Sequence, residues 1–96
     1  MYRNKKQKIA DLSVFIVNLK TSNEIINFMT EILTQAELET LSKRWCIIKM
    51  LNAGFTQREI AQNLQVSLCK VTRGAKILKD KNSIVSKYLI KEKNHE

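Results

Sequence analysis

Apolar positions recur every three or four residues through most of the chain, in runs divided by polar breaks. From Ile9, the series Leu12, Phe15, Ile16 and Leu19 predicts a first helix. Thr21, Ser22 and Asn23 interrupt it. Each of these side chains is able to cap a second helix, which carries Ile25, Ile26, Met29, Ile32 and Leu33 on one broad side. The next boundary is sharper. Thr34-Gln35-Ala36-Glu37 is a capping-box sequence: the threonine hydroxyl accepts from the N–H three residues on, and the glutamate reaches back to the threonine's own N–H. A third helix should start there and run to about Ala53, with Leu38, Leu41, Trp45 and Ile48 along it. Gly54 then stands where a helix end calls for positive φ.

Residues 57–76 read QREIAQNLQVSLCKVTRGAK, a pattern of two short amphipathic helices joined by a tight turn. Ile60, Leu64, Val66 and Val71 fall where they pack the two together, Ala61 is small at the close approach, and Ser67 is a natural N-cap for the second helix. A helix-turn-helix needs these features, because helices crossing at about 90–120° leave little room at the contact. Its second helix presents N-terminal residues to the major groove. Gln65 takes the turn position that commonly holds glycine, where a left-handed backbone is costlier for a side-chain-bearing residue. Ile84, Val85, Tyr88 and Leu89 predict a last helix over about 83–91, and Glu92 to Glu96 should fray.

Composition sharpens this into an all-α expectation, since the chain has no proline and only two glycines, Gly54 and Gly74. A length of 96 residues allows one domain. Within it we expect a basic arm over 1–8, a dimerisation core over 9–55, the helix-turn-helix over 56–79, and a C-terminal helix and tail over 80–96. Phe15, Ile16, Ile25, Ile26, Phe28 and Met29 are more apolar surface than so short a chain can cover, which predicts a homodimer.

Charge points to the partner. The formal net charge is +8 and the isoelectric point about 9.7, an excess that calls for an anionic partner, nucleic acid being the usual one. Charge alone separates neither DNA from RNA nor either from a membrane surface. Its distribution says more: Arg58, Lys70, Arg73, Lys76 and Lys79 lie between Thr56 and Lys79, with Glu59 the only acid among them. Basic side chains on the reading unit are what phosphate contact requires. The expected DNA-facing set is Gln57, Arg58, Leu68, Cys69, Lys70, Thr72, Lys76 and Lys79. No catalytic or metal-binding residue is expected. The single histidine, His95, lies in the tail, Cys46 and Cys69 make no disulfide framework or ligand spacing, and a glycine-rich phosphate loop is missing. No stretch reaches the roughly 18 apolar residues of a membrane span, and no signal peptide is visible, so the cytoplasm is the expected location.

The segment TQREIAQNLQVSLCKVTRGAKILK resembles the reading head of the tryptophan repressor family. The marks are Gln57-Arg58-Glu59, then Thr72-Arg73-Gly74, then Leu78-Lys79, and upstream LTQAELETLSKRW is similar to the family's central helix. The resemblance covers about Leu33 to Lys79. It implies an all-α, six-helix interleaved homodimer that represses tryptophan biosynthesis or uptake genes on operator DNA, with L-tryptophan as corepressor and no other cofactor. It also implies that the indole lies between Arg44 and Arg73, that the Thr34 hydroxyl meets the ligand carboxylate, and that Gly74 is small so that the ring fits. The backbone carbonyls of Glu31 and Leu33 would receive the ammonium. Two positions depart from the family pattern: Ile77 stands where a serine often helps hold the ammonium, and Lys70 where a threonine can sit. On the residues alone, Arg44 reads first as a surface arginine on an amphipathic helix and Arg73 as a phosphate contact. A helix-turn-helix regulator of the same fold that is independent of tryptophan is the alternative.

Overall fold

The computed structural model describes residues 1–93. Among them are six helices and no strands: α1 (Lys5–Val17), α2 (Ser22–Ile32), α3 (Gln35–Asn52), α4 (Gln57–Leu64), α5 (Leu68–Lys79) and α6 (Ile84–Lys93). Short polar side chains set most of the starts by satisfying amide groups that the first helical turn leaves without partners. Thr21 Oγ1 accepts from the Glu24 N–H at 3.1 Å, and Ser67 Oγ from the Lys70 N–H at 3.3 Å. At α3 the capping box closes both ways. Thr34 Oγ1 accepts from the Glu37 N–H at 3.1 Å, and Glu37 Oε1 accepts from the Thr34 N–H at 2.9 Å. Gly54 follows α3 with φ of +98°.

The first helix begins earlier than apolar spacing predicts. Asn4 Oδ1 accepts from the Gln7 N–H at 2.9 Å, so Lys5, Lys6 and Lys8 belong to α1 instead of a basic arm. These are good helix formers whose sequence carries no apolar period, and only the asparagine cap marks the boundary. At the other end α1 stops at Val17, short of Leu19. The Asn18 side chain donates to the Val14 carbonyl at 2.8 Å and its N–H to the Phe15 carbonyl at 3.0 Å. The expected fraying at 92–96 falls partly on α6, which includes Glu92 and Lys93. Residues 94–96, His95 among them, lie outside the described residues.

The chain divides into two compact units, 1–38 and 39–96. In the first, the rings of Phe15 and Phe28 meet with centroids 5.0 Å apart and planes at 49°. Neither α1 nor α2 buries a residue. Beside the two rings an open recess of about 450 Å³ is walled mainly by Leu12, Phe15, Phe28 and Ile32. At its rim the Tyr2 hydroxyl donates to Asp11 Oδ2 at 2.6 Å. This hydrogen bond to a carboxylate raises the phenol above its ordinary pKa.

The second unit holds the core. Ile47, Ile60 and Val71 are buried together, with Met50, Leu51, Ala61, Leu64 and Val66 packed around them. Burying each such side chain contributes about 1.5–3 kcal/mol. Leu89 of α6 is buried as well, and the buried Ser86 hydroxyl donates to the Leu78 carbonyl at 3.0 Å, tying α6 to the end of α5. Lys49 and Glu92 add an exposed ion pair at 3.6 Å, worth little in water.

Candidate nucleic-acid interface and ligand cleft

The α4–α5 pair is fixed from within by Ile60 and Val71, both fully buried. At the start of α4, Thr56 Oγ1 accepts from the Glu59 N–H at 3.1 Å. The turn out of α4 puts Gln65 in the left-handed region with φ 55° and ψ 52°, and its N–H reaches the Ala61 carbonyl. Thr72 bridges the two helices. Its hydroxyl lies 3.2 Å from Gln57 Oε1 and 2.9 Å from the Leu68 carbonyl oxygen. The first turn of α4 is thus tied to the first half of α5, and two residues expected to face DNA are brought together.

Gln57, Arg58, Leu68, Cys69, Lys70, Thr72, Lys76 and Lys79 are all exposed. Arg58, Lys70, Arg73, Lys76 and Lys79 enter no ion pair among the described residues, where the two ion pairs join Lys43 to Glu39 and Lys49 to Glu92. Uncompensated cations on one helical pair make a surface ready for an anion at no cost in broken pairs. Leu68, an apolar side chain in the first turn of α5, is 49% exposed.

Beside the buried core, and sharing Ile47 with it, lies a cleft of about 320 Å³. Arg44, Ile47 and Ile48 of α3 face Lys70, Arg73, Gly74 and Ile77 of α5 around it. This volume is at the lower end of what small-molecule sites enclose, about 300–1,000 Å³. The isoleucines and Gly74 supply apolar surface; Arg44, Lys70 and Arg73 supply positive charge, and no acidic side chain lines the space. Gly74 has a second reason to lack a side chain. A Cβ there would stand 2.7 Å from Ile47 Cγ2, so glycine permits the close approach of α5 to α3 as well as leaving room in the cleft. A smaller recess of about 110 Å³ shares Arg44, Ile47 and Lys70 with the cleft and adds Glu39, Thr40, Lys43, Gln65 and Val66.

Arg44, Arg73 and Gly74 are therefore brought to one cleft. Glu31, Leu33 and Thr34 belong to the first unit. There Leu33 ends α2 in an extended conformation, and the Thr34 oxygen is engaged by the Glu37 N–H. The sequence reading missed Ile47 and Ile48 as cleft residues, and it named Lys70 as a DNA-facing residue and as a departure from the family's ligand site, not as a ligand contact. A signal existed. Lys70, Arg73, Gly74 and Ile77 follow the i, i+3, i+4, i+7 spacing of a single helical face, and Ile47 and Ile48 lie three and four residues beyond Arg44.

The family model for the Trp repressor protein matches residues 7–93. The chain belongs to the Trp repressor family. Among individual relatives it is 48% identical over 52 residues to the Trp operon repressor homolog of Xylella fastidiosa strain M23, covering 53% of this chain and 56% of that protein. It is 40% identical over 62 residues to the Trp operon repressor homolog of Chlamydia caviae, covering 64% of this chain and 61% of that protein. The chain thus spans a little over half the length of these relatives. No solved structure matches it. Among the described residues no helix is long and apolar enough to cross a membrane.

Proposed function

We propose that this Trp repressor family member is a transcriptional repressor that binds operator DNA as an interleaved homodimer and takes L-tryptophan as corepressor, acting on tryptophan biosynthesis or uptake genes. On this reading α4 and α5 are a helix-turn-helix. The N-terminal half of α5 enters the major groove with Leu68, Cys69, Lys70 and Thr72 toward the bases. Gln57, Arg58, Lys76 and Lys79 hold the flanking backbone. The observation that carries the reading is the cleft: Arg44 and Arg73 both line it, one on the central helix and one on the reading helix. Guanidinium planes stack on an indole and also pair with a carboxylate, and an aromatic amino acid needs both. The roles of Thr34 and of the Glu31 and Leu33 carbonyls toward the ligand's charged ends are part of the same proposal.

Because α5 is at once a wall of the cleft and the reading helix, a ligand wedged against Arg44 restricts its attitude. It promotes DNA binding to the extent that it prefers the competent orientation, and operator DNA must tighten the ligand by the same factor. One observation favours a second reading, a regulator of the same fold independent of tryptophan: the Ile77 side chain on the cleft wall offers an ammonium group no acceptor.

Calorimetric titration with L-tryptophan, repeated in the presence of operator DNA, separates the two. The corepressor reading expects binding that operator DNA strengthens by about 5- to 150-fold, the usual range of such coupling. Arg44→Ala should abolish the increment that tryptophan gives to operator affinity. Equal operator binding with and without millimolar tryptophan, with no heat on titration, gives the second reading its place.

A further inference from the structure

Lys70 lines both the cleft and the adjoining recess, and with Arg44 and Ile47 it is shared between them. Its ammonium makes no ion pair among the described residues. The one acid in the recess, Glu39, is already paired with Lys43 at 3.4 Å. Arg44, Lys70 and Arg73 therefore converge on an apolar pocket whose lining contains no negative charge. Like charges crowded at a half-enclosed apolar site are relieved by an anion and made worse by another cation.

We infer that Lys70 is a specificity-determining residue of this cleft, a third cation that binds the ligand's carboxylate, so that the carboxylate and not the ammonium group carries recognition. This rests on the proposal that the cleft holds an aromatic amino acid. A lysine reaching in from the first turn of α5 makes a charge-assisted hydrogen bond to a carboxylate seated near Arg44 and Arg73, about twice as strong as a neutral one. The apolar Ile77 wall gives the ammonium nothing in return. On this inference Lys70 gives its charge to the ligand in the ligand-bound chain, and the bases are left to Leu68, Cys69 and Thr72.

The test is a calorimetric series on the full chain with three probes: L-tryptophan, indole-3-propionate, which lacks the ammonium, and L-tryptophanamide, which lacks the carboxylate. The expected order puts indole-3-propionate at least level with tryptophan, and the amide weaker by about tenfold or more, the worth of one charge-assisted contact. Lys70→Gln should weaken both carboxylates about tenfold and leave the amide nearly unmoved. Lys81→Gln, which removes one charge from the exposed turn after α5, should move none of the three, separating a local contact from the general field. Thermal melting of each variant followed by circular dichroism establishes that it is folded. Tight tryptophan binding that is unchanged in Lys70→Gln, or an amide that binds as well as the acids, overturns this inference while the ligand reading stands. No binding by any probe to the wild-type chain overturns both.

Discussion

At Gly74 a single missing methyl group serves two ends. The helix backbone there lies against Ile47, and a Cβ at 2.7 Å from Ile47 Cγ2 meets a β-branched side chain that has one preferred rotamer in a helix. Overpacking of this kind costs about 1–3 kcal/mol, against which alanine's better helix propensity returns about 1 kcal/mol. Gly74→Ala should therefore lower the urea midpoint by a net amount of up to about 2 kcal/mol in stability. Because Ile47 also lines the cleft, the same substitution should weaken ligand binding. A midpoint that rises would mean that α3 and α5 part without cost. The family resemblance accounted for Gly74 by the ring it admits. Its contact with α3 was invisible in the sequence, because periodicity gives the face of a helix and not the partner that face meets.

At the scale of the element, the best-read features are those in which one residue type has one local use. Thr34 with Glu37, Ser67 ahead of α5 and Gly54 after α3 were each legible, because a cap is a matter of hydrogen bonds within four residues. The start of α1 was not, since its first turn is lysine and glutamine with no apolar period to follow. Gln65 was expected to sit at a turn that glycine usually fills, and it does so with φ 55°. A left-handed residue with a side chain carries about 1–2 kcal/mol of strain, partly offset in the comparison with glycine by the greater freedom of glycine in the unfolded chain. Gln65→Gly should raise stability by about 0.5–1 kcal/mol, read as a higher urea midpoint at unchanged slope. A lower midpoint would show that the Gln65 side chain holds the turn by contacts worth more than the strain.

At the scale of the whole chain, burial is unevenly shared between the two units. The core lies in 39–93, while α1 and α2 carry Val14, Phe15, Val17, Ile26 and Ile32 on an exposed surface with no buried residue between them. A second copy of the chain is the cover that the proposed function supplies. Sedimentation at micromolar concentration should return a dimer, and a stable monomer would remove the interleaved arrangement. For DNA, each of the unpaired cations Arg58, Lys76 and Lys79 that meets a phosphate should contribute about one unit to the slope of log affinity against log salt. Replacing one by glutamine should flatten that slope by about one unit and leave sequence preference intact. The bare first two helices also bear on how long a chain survives. A helix with no fully buried residue opens at little free-energy cost, and an open backbone is what proteases cut. On the two-chain reading, newly made copies below the association threshold are cleared through residues 1–33, and copies above it are protected by one another. If two chains do pair through this surface, turnover should rise as abundance falls, and the lifetime of the chain would then depend on its own concentration.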